Sequence, residues 1–335
     1  LRGAITLPEY FKVHGHVSTG MGKIFHPVKD KQTGLIDDLC TKTMHNCSWT
    51  MMPSKGGQPY FHGDLEAYYQ NGGVDPGGRT CNLGPCHGAS EPRPPGCVVG
   101  ETCGCPSHAA ISPSTEQRCP LPGSQLAEHA STTIKHFESV PDPFFLAVGF
   151  HKPHLPFIVP QWCLDLYPED SVELPTNPYA PVDMPPVAWS PYGEIRAQYY
   201  DITALKLTGD YNSTRNGDVG DDMPNNMTLQ LRRHYRAAVT FTDFNIGIVL
   251  DALANSTAAN NTLVVIWGDH GWQLGEHGAW CKQTMWEIAT RGTLMINRPG
   301  VAPTQPTTAA LVEFVDIFPT IADLAGLNPP VSCPR

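Results

Sequence analysis

Leu263-Val264-Val265-Ile266-Trp267 is a short, β-rich, continuously apolar run that closes into Asp269-His270-Gly271-Trp272. Such a run reads as a buried parallel strand. It delivers a carboxylate and an imidazole, both able to bind metal, to the carboxyl edge of a sheet, where open α/β sheets hold their ligands. Taken alone, the Asp-His pair fits a turn-forming Asp and a hydrogen-bonded His equally well. The rest of the chain has to decide.

A second apolar run, Pro143 to Phe150, ends in the same manner, in His151-Lys152-Pro153-His154-Leu155-Pro156. Between the two runs, Tyr235, Val239, Ile246, Val249 and Leu253 recur at helical spacing, which predicts an amphipathic helix from Leu229 to Leu253 leading into the Asp269 strand. Further helices are predicted over Leu7 to Gly15, with Pro8 in the first turn, over Ser124 to Phe137, and over Val312 to Ala325, stopped by Gly326. Ser18 to Pro27 reads as a brief extended segment and loop. Strand and helix alternating, with polar strand ends, mean an α/β sandwich. Residues 173 to 225, rich in Pro, Tyr and Asp, read as a long surface excursion. Residues 70 to 124, dense in Gly, Pro and Cys without an apolar period, read as an irregular excursion stapled by disulfides.

Composition narrows the function classes. A net charge of −10 argues against non-specific binding to nucleic acid. No run of about eighteen apolar residues occurs, which argues against a membrane span. The 11 cysteines, crowded between Cys81 and Cys119, form no C-x-x-C pairs at zinc spacing, so disulfides are the better reading. Sequons at Asn46, Asn212, Asn226, Asn255 and Asn260 agree with them in favouring the secretory pathway, and so a lysosomal or secreted protein. The cysteine count is odd, and Cys333 is the thiol expected to be unpaired.

Four separated segments supply cationic or metal-binding groups: Lys23 with His26, His151 with His154, Asp269 with His270, and Lys282 after Gly275-Glu276-His277-Gly278. Two lysines and several histidines converging on one strand edge make an anion site, to which a metal ion would add a stronger charge than any side chain. The stretches Gly22 to Pro27, Pro143 to Phe157 and Trp267 to Lys282 resemble the iduronate-sulfatase group, in the sulfatase branch of the alkaline-phosphatase superfamily. Met184 to Trp189 and Phe314 to Thr320 fall in that family's order as well, so the resemblance covers nearly all of the chain except the Cys-rich excursion.

The resemblance implies an alkaline-phosphatase-like sandwich, with a central mixed, mainly parallel sheet flanked by helices. It implies one catalytic domain over residues 1 to 335, carrying an insertion at about 70 to 124. Asp269 and His270 would be ligands of a Ca²⁺ ion, although His is an unusual calcium ligand and leaves the metal's identity open. Lys23 and Lys282 would bind sulfate oxygens and offset charge on the leaving oxygen. His154 would contact the sulfate and serve as general acid, and His26 would hold the nucleophile side through a hydrogen bond to a formylglycine hydrate. Trp272 and His151 would shape the sugar pocket. Glu276 and His277 would stabilise their loop, and Cys281 would be a buried, inert thiol.

The implied reaction is hydrolysis of a sulfate ester, the 2-O-sulfate of iduronate in heparan- or dermatan-type glycosaminoglycans. One departure bears on it. The family's C-x-P-S-R motif, whose cysteine becomes formylglycine, and the Asp-Asp pair that completes its metal site do not occur here; Cys105-Pro106-Ser107-His108 and Cys119-Pro120-Leu121-Pro122 both fail the pattern, and Asp221-Asp222 lies out of order. In the family those elements precede the Lys23 segment and a small domain follows the last helix. The resemblance therefore implies a chain truncated at both ends and inactive by itself. Two other readings stand beside it: a non-catalytic protein that binds sulfated glycans, and a phosphate or phosphonate monoester hydrolase.

Overall fold

The computed structural model describes residues 5–24, 51–52, 58–59, 61–62, 107–118, 120–196, 199–207, 223–302, 305 and 307–328. Its elements begin with helix α1 (Leu7–Val13), β1 (Val17–Gly22), β2 (Met51–Met52), β3 (Gln58–Pro59), β4 (Phe61–His62) and β5 (His108–Ile111). Next come α2 (Pro113–Arg118), α3 (Pro122–Phe137), β6 (Phe144–Gly149), β7 (Phe157–Pro160), α4 (Gln161–Asp165) and two single turns, α5 (Gly193–Arg196) and α6 (Tyr200–Thr203). The long α7 (Asn225–Ala254) leads into β8 (Val264–Trp267), β9 (Gln273–Leu274), β10 (Trp280–Cys281), α8 (Glu287–Thr290), β11 (Leu294–Asn297) and α9 (Ile317–Leu324).

β1 is the middle of a parallel sheet ordered β4-β1-β6, and its register sets Gly22 opposite Gly149 at the carboxyl ends. That register brings the segments after β1 and β6 to the same edge. β6 shows why its sequence makes a buried strand. Leu146, Val148 and Phe150 point to one face, against Leu126 and Ala130 of α3 and Val249 of α7, while Phe145 points to the other, against Phe11 of α1 and Ile317 and Ile321 of α9. Helices therefore cover both faces, as the predicted sandwich requires. Locally α1 is defined by its capping box, in which the Thr6 hydroxyl accepts from the Glu9 N–H and the Glu9 carboxylate accepts from the Thr6 N–H. α7 has length and hydropathy enough for a membrane span, yet one face packs on β5, β7 and α3 and buries His234 and Asn245, the pattern of a core helix.

Three sequence expectations are corrected. β8 is not a buried parallel strand: it pairs antiparallel with β11, is half-buried, and leaves Trp267 46% exposed. An apolar run encodes burial, but the direction of its hydrogen-bonded neighbour comes from elsewhere in the chain. The described parts of the stretch from 173 to 225, residues 173–196, 199–207 and 223–225, are not a surface excursion. Tyr192, Ile195, Tyr199, Ile202, Leu207 and Met223 join Phe157, Trp272 and Trp280 in one core cluster. Six large side chains taken out of water contribute on the order of 10 kcal/mol of gross burial, so the segment is part of the core. Finally, the irregular stretch expected to reach residue 124 has given way by residue 107 to β5, which pairs parallel with β7, and to α2. Cys81 to Cys105, Cys119 and Cys333 lie outside the described residues. The last predicted helix begins later than expected, at Ile317 after a 3₁₀ turn over Phe314–Asp316, and Gly326 ends it with φ +74°.

Candidate active site

Lys23 follows directly on β1, and its N–H donates to the Gly149 carbonyl at 2.8 Å. The approach is possible only because Gly149 has no side chain: a Cβ there would stand 1.9 Å from the Lys23 carbonyl oxygen. Gly149→Ala is expected to destabilise the protein by about 3 kcal/mol or more, as backbone overpacking does, and to displace Lys23. A thermal melt within a degree of the native one would contradict this packing.

The loop after β6 folds back on itself. The His154 N–H donates to the His151 carbonyl at 3.1 Å, and the two imidazoles stack with centroids 4.6 Å apart. Lys152 ties the loop together by donating to the Pro156 carbonyl and, at 3.3 Å, to the His154 carbonyl. Burial pushes the Lys152 ammonium down to about 7. Burial, reinforced by the charges of Lys152, His154, Lys23 and Lys282, pushes His151 down to about 2. His151 is therefore a neutral wall of the site and transfers no proton near neutral pH. Its surroundings also identify a concentration of positive charge where four cationic groups face one ring.

His154 is the centre of that concentration. Its Nδ1 contacts the Leu155 carbonyl at 2.8 Å, and its Nε2 lies 2.7 Å from Glu194 Oε1 and 2.8 Å from Lys282 Nζ. Nδ1 therefore donates to the Leu155 carbonyl, and Nε2 is shared between the carboxylate and the ammonium, donating to Glu194 when protonated and accepting from Lys282 when neutral. Lys282 emerges from β10 just after Cys281, whose φ of +69° turns the chain toward the pocket. Its ammonium donates to Glu194 Oε1 at 2.9 Å and sits 4.9 Å from the Trp272 ring centroid, a cation–π contact. Trp272 meets His154 edge-on at 5.3 Å and stacks on His270 at 6.1 Å. It is both a core residue and the partition between the two halves of the site.

Asp269 and His270 stand on the far side of that partition, in the turn after β8. The Gly268 N–H donates to Thr293 and the Gly271 N–H to Ala289, which holds the turn at both ends. His270 Nδ1 contacts the Gly271 carbonyl at 2.8 Å, which leaves its Nε2 turned toward the Asp269 carboxylate, 3.5 Å away. The carboxylate is 68% exposed. A carboxylate and an imidazole nitrogen converging in this way suit two positions in the shell of a divalent cation. Among the described residues, no group of three or more His, Cys, Asp or Glu side chains gathers to hold a metal.

The structure thus brings His151, His154, Trp272 and Lys282 together, sets Lys23 close enough to His151 for its charge to oppose protonation of that ring, and places Asp269 and His270 across Trp272. His26 lies outside the described residues. Glu276 accepts from the Leu274 N–H and from Arg232, each at 2.6 Å, and His277 stacks on Trp286; both brace their loop. Sequence reasoning missed Glu194. It stands on a single turn between Tyr192 and Ile195, each 1% exposed, and no spacing in the sequence marks it. Burial opposes ionisation of its carboxyl, but hydrogen bonds from His154, Lys282 and Gln283 outweigh burial and hold it well below the usual carboxylate range. Beside Lys282 opens a cavity of about 510 Å³, walled by Trp189, Met285 and Trp286.

Two thiols are buried here. Desolvation pushes Cys163 up to about 12 and raises Cys281 too. Neither should react with an aromatic disulfide at pH 8 in the folded protein, and both should react once it is unfolded. Rapid modification of the native protein at either position would overturn this placement.

The fold is that of an alkaline-phosphatase-like α/β protein, with basic side chains gathered in one pocket. Its backbone superposes on the phosphonate monoester hydrolase of Agrobacterium radiobacter with a TM-score of 0.54 and 18% identity, over 98% of this chain and 60% of that one. The family profile described as Sulfatase matches residues 106–327, more than half of the sequence. The chain belongs to the sulfatase family. It is 32% identical to iduronate 2-sulfatase of Mus musculus and 31% identical to that of Homo sapiens, over 98% of this chain in both cases. It spans 55% of the mouse relative and 56% of the human one.

Proposed function

We propose that this chain forms the body of an enzyme that hydrolyses sulfate esters of sugars, with the 2-O-sulfate of iduronate in heparan- or dermatan-type glycosaminoglycans as its substrate. The observation that carries the reading is the 2.8 Å pairing of His154 Nε2 with Lys282 Nζ against Trp272, in a chain of the sulfatase family. A lysine and a protonated imidazole side by side offer donors to a sulfate group, and Lys23 at the end of β1 adds a second ammonium. His154 Nε2, protonated and held by Glu194 at rest, would donate to the ester oxygen that leaves once the ester is bound. As an oxygen nucleophile, water in the net reaction, bonds to sulfur and the bond from sulfur to the sugar oxygen breaks, that proton passes to the departing alkoxide. Trp272 and the neutral His151 exclude water and shape the sugar side, and the cavity beside Lys282 gives the ring room.

Asp269 and His270 would hold a divalent ion, Ca²⁺ in this reading, which supplies Lewis-acid withdrawal of charge from the sulfate oxygens. Formylglycine does not fit these residues: no cysteine among the 335 stands in a C-x-P-S-R motif, and no step is derived through it. The whole protein, and not this stretch alone, is thus the proposed catalyst. For the stretch alone, the same missing motif favours binding of a sulfated glycan without cleavage. The chain reads as one catalytic unit with its insertion ending before β5, in an oxidising compartment of the secretory pathway, lysosomal or secreted, where its sequons and crowded cysteines belong.

The test is sulfate release from a 2-O-sulfated iduronate disaccharide by the complete protein, with calcium and after chelation. A phosphonate monoester serves as the competing substrate. Calcium-dependent sulfate release is the expected result. Faster turnover of the phosphonate, or no release from any sulfated sugar, would sink the reading.

A further inference from the structure

One carboxylate oxygen, Glu194 Oε1, receives both His154 Nε2 at 2.7 Å and Lys282 Nζ at 2.9 Å, while Oε2 receives Gln283 at 2.9 Å. We propose that Glu194 is a positioning residue of the sulfate pocket, holding the His154 imidazole and the Lys282 ammonium side by side at one small volume before an ester arrives. The inference rests on reading that pocket as a sulfate site.

The geometry carries it in three steps. First, His154 Nε2 and Lys282 Nζ lie 2.8 Å apart, and whenever the ring is protonated the two charges repel one another, so that an anion touching both stabilises the arrangement. Glu194 is the carboxylate that touches both. Second, the lysine stem is long and flexible, and without a partner it would spread over many rotamers into solvent. Third, Glu194 is itself held still. It stands on α5 between two residues that are 1% exposed, α5 packs on β10, which carries Lys282 at its end, and Gln283 fixes the second oxygen. The groups facing the carboxylate are His154 and Lys282 on the pocket side and the Tyr199 and Cys281 side chains behind it, both of which burial and the Glu194 charge hold in their neutral forms. The depressed titration of Glu194 agrees with an anion that stays charged throughout. In the reaction one proton moves, from His154 Nε2 to the leaving oxygen; Glu194 remains ionised and keeps Lys282 in place.

The test uses the full chain labelled with ¹⁵N-histidine and ¹³C-carboxyl glutamate. An Nε2–H held against a carboxylate gives a slowly exchanging proton signal far downfield, assignable by its loss in His154→Ala. It should be present in the native protein and in Glu194→Asp and absent in Glu194→Gln. In the unaltered protein, so that no variant's folding is at issue, the Glu194 carboxyl should titrate well below the usual carboxylate range, and Lys282→Met should raise it. A signal that persists in Glu194→Gln, or a native Glu194 that titrates as an ordinary surface carboxylate, overturns the proposal. On the complete protein, Glu194→Gln should lower kcat on a sugar sulfate about tenfold to a hundredfold, with partial recovery in Glu194→Asp; an unchanged kcat overturns the proposal as well. If both spectroscopic results are met but no sulfate ester is turned over, the sulfatase reading falls while the placement of Glu194 stands.

Discussion

In the complete protein, Asp269→Asn is expected to weaken binding of the divalent ion by more than about a hundredfold, beyond the 10- to 100-fold typical of outer-shell changes, and to remove turnover of sulfate esters with it. The argument is electrostatic. Asn keeps the shape of Asp but exchanges a full negative charge for a dipole, and a divalent ion feels that difference more than any change of size. Packing does not enter, because the Asp269 carboxylate is 68% exposed and its partner within the turn is His270. The melting temperature without metal should therefore match the native protein's. With calcium at about 100 times its dissociation constant, the native protein gains about 2.7 kcal/mol of stability, and Asp269→Asn should gain almost none at that concentration. Melts with and without calcium, alongside calorimetric titration, measure both statements. An undiminished calcium shift in Asp269→Asn would remove Asp269 from the metal site.

The contrast between what the sequence made legible and what it concealed has a physical basis in particular residues. β6 and α7 were legible, β6 as a continuous apolar run from Pro143 to Phe150 and α7 because it is long enough to show a period of three and four from Tyr235 to Leu253. The polar residues just past Gly149 and Trp267 could be placed at strand ends for the same reason. The antiparallel partner of β8 was not legible, since Val264 to Trp267 would look alike beside a neighbour of either direction. The core role of Tyr192, Ile195, Tyr199 and Ile202 was hidden because they sit on single turns, too short to express any period. Glu194 was lost with them. A buried carboxylate that bridges two cations leaves no trace in spacing, because its partners, His154 and Lys282, are 40 residues upstream and 88 residues downstream. Its place became visible only when the chain was folded.

His154→Ala is expected to slow release of sulfate from a sugar by a hundredfold to ten-thousandfold, about the range for loss of a general acid, while leaving the divalent ion bound. The separation follows from Trp272, whose ring stands between the two halves of the site: it touches His154 on one side and His270 on the other. Removing the imidazole takes nothing from Asp269 or His270. It also leaves Lys282 paired with Glu194 at 2.9 Å, so the ammonium remains available to the sulfate group. What disappears is the proton on Nε2 that a poor leaving group needs. An alkoxide leaving a sugar needs that proton, whereas a nitrophenolate leaves without one. Turnover of an aryl sulfate should accordingly suffer far less than turnover of a sugar sulfate in the same variant, with calcium affinity unchanged in both assays. Equal losses on the two substrates would mean that His154 binds the sulfate and does not deliver the proton, and the search for the acid would then move to the other side of Lys282.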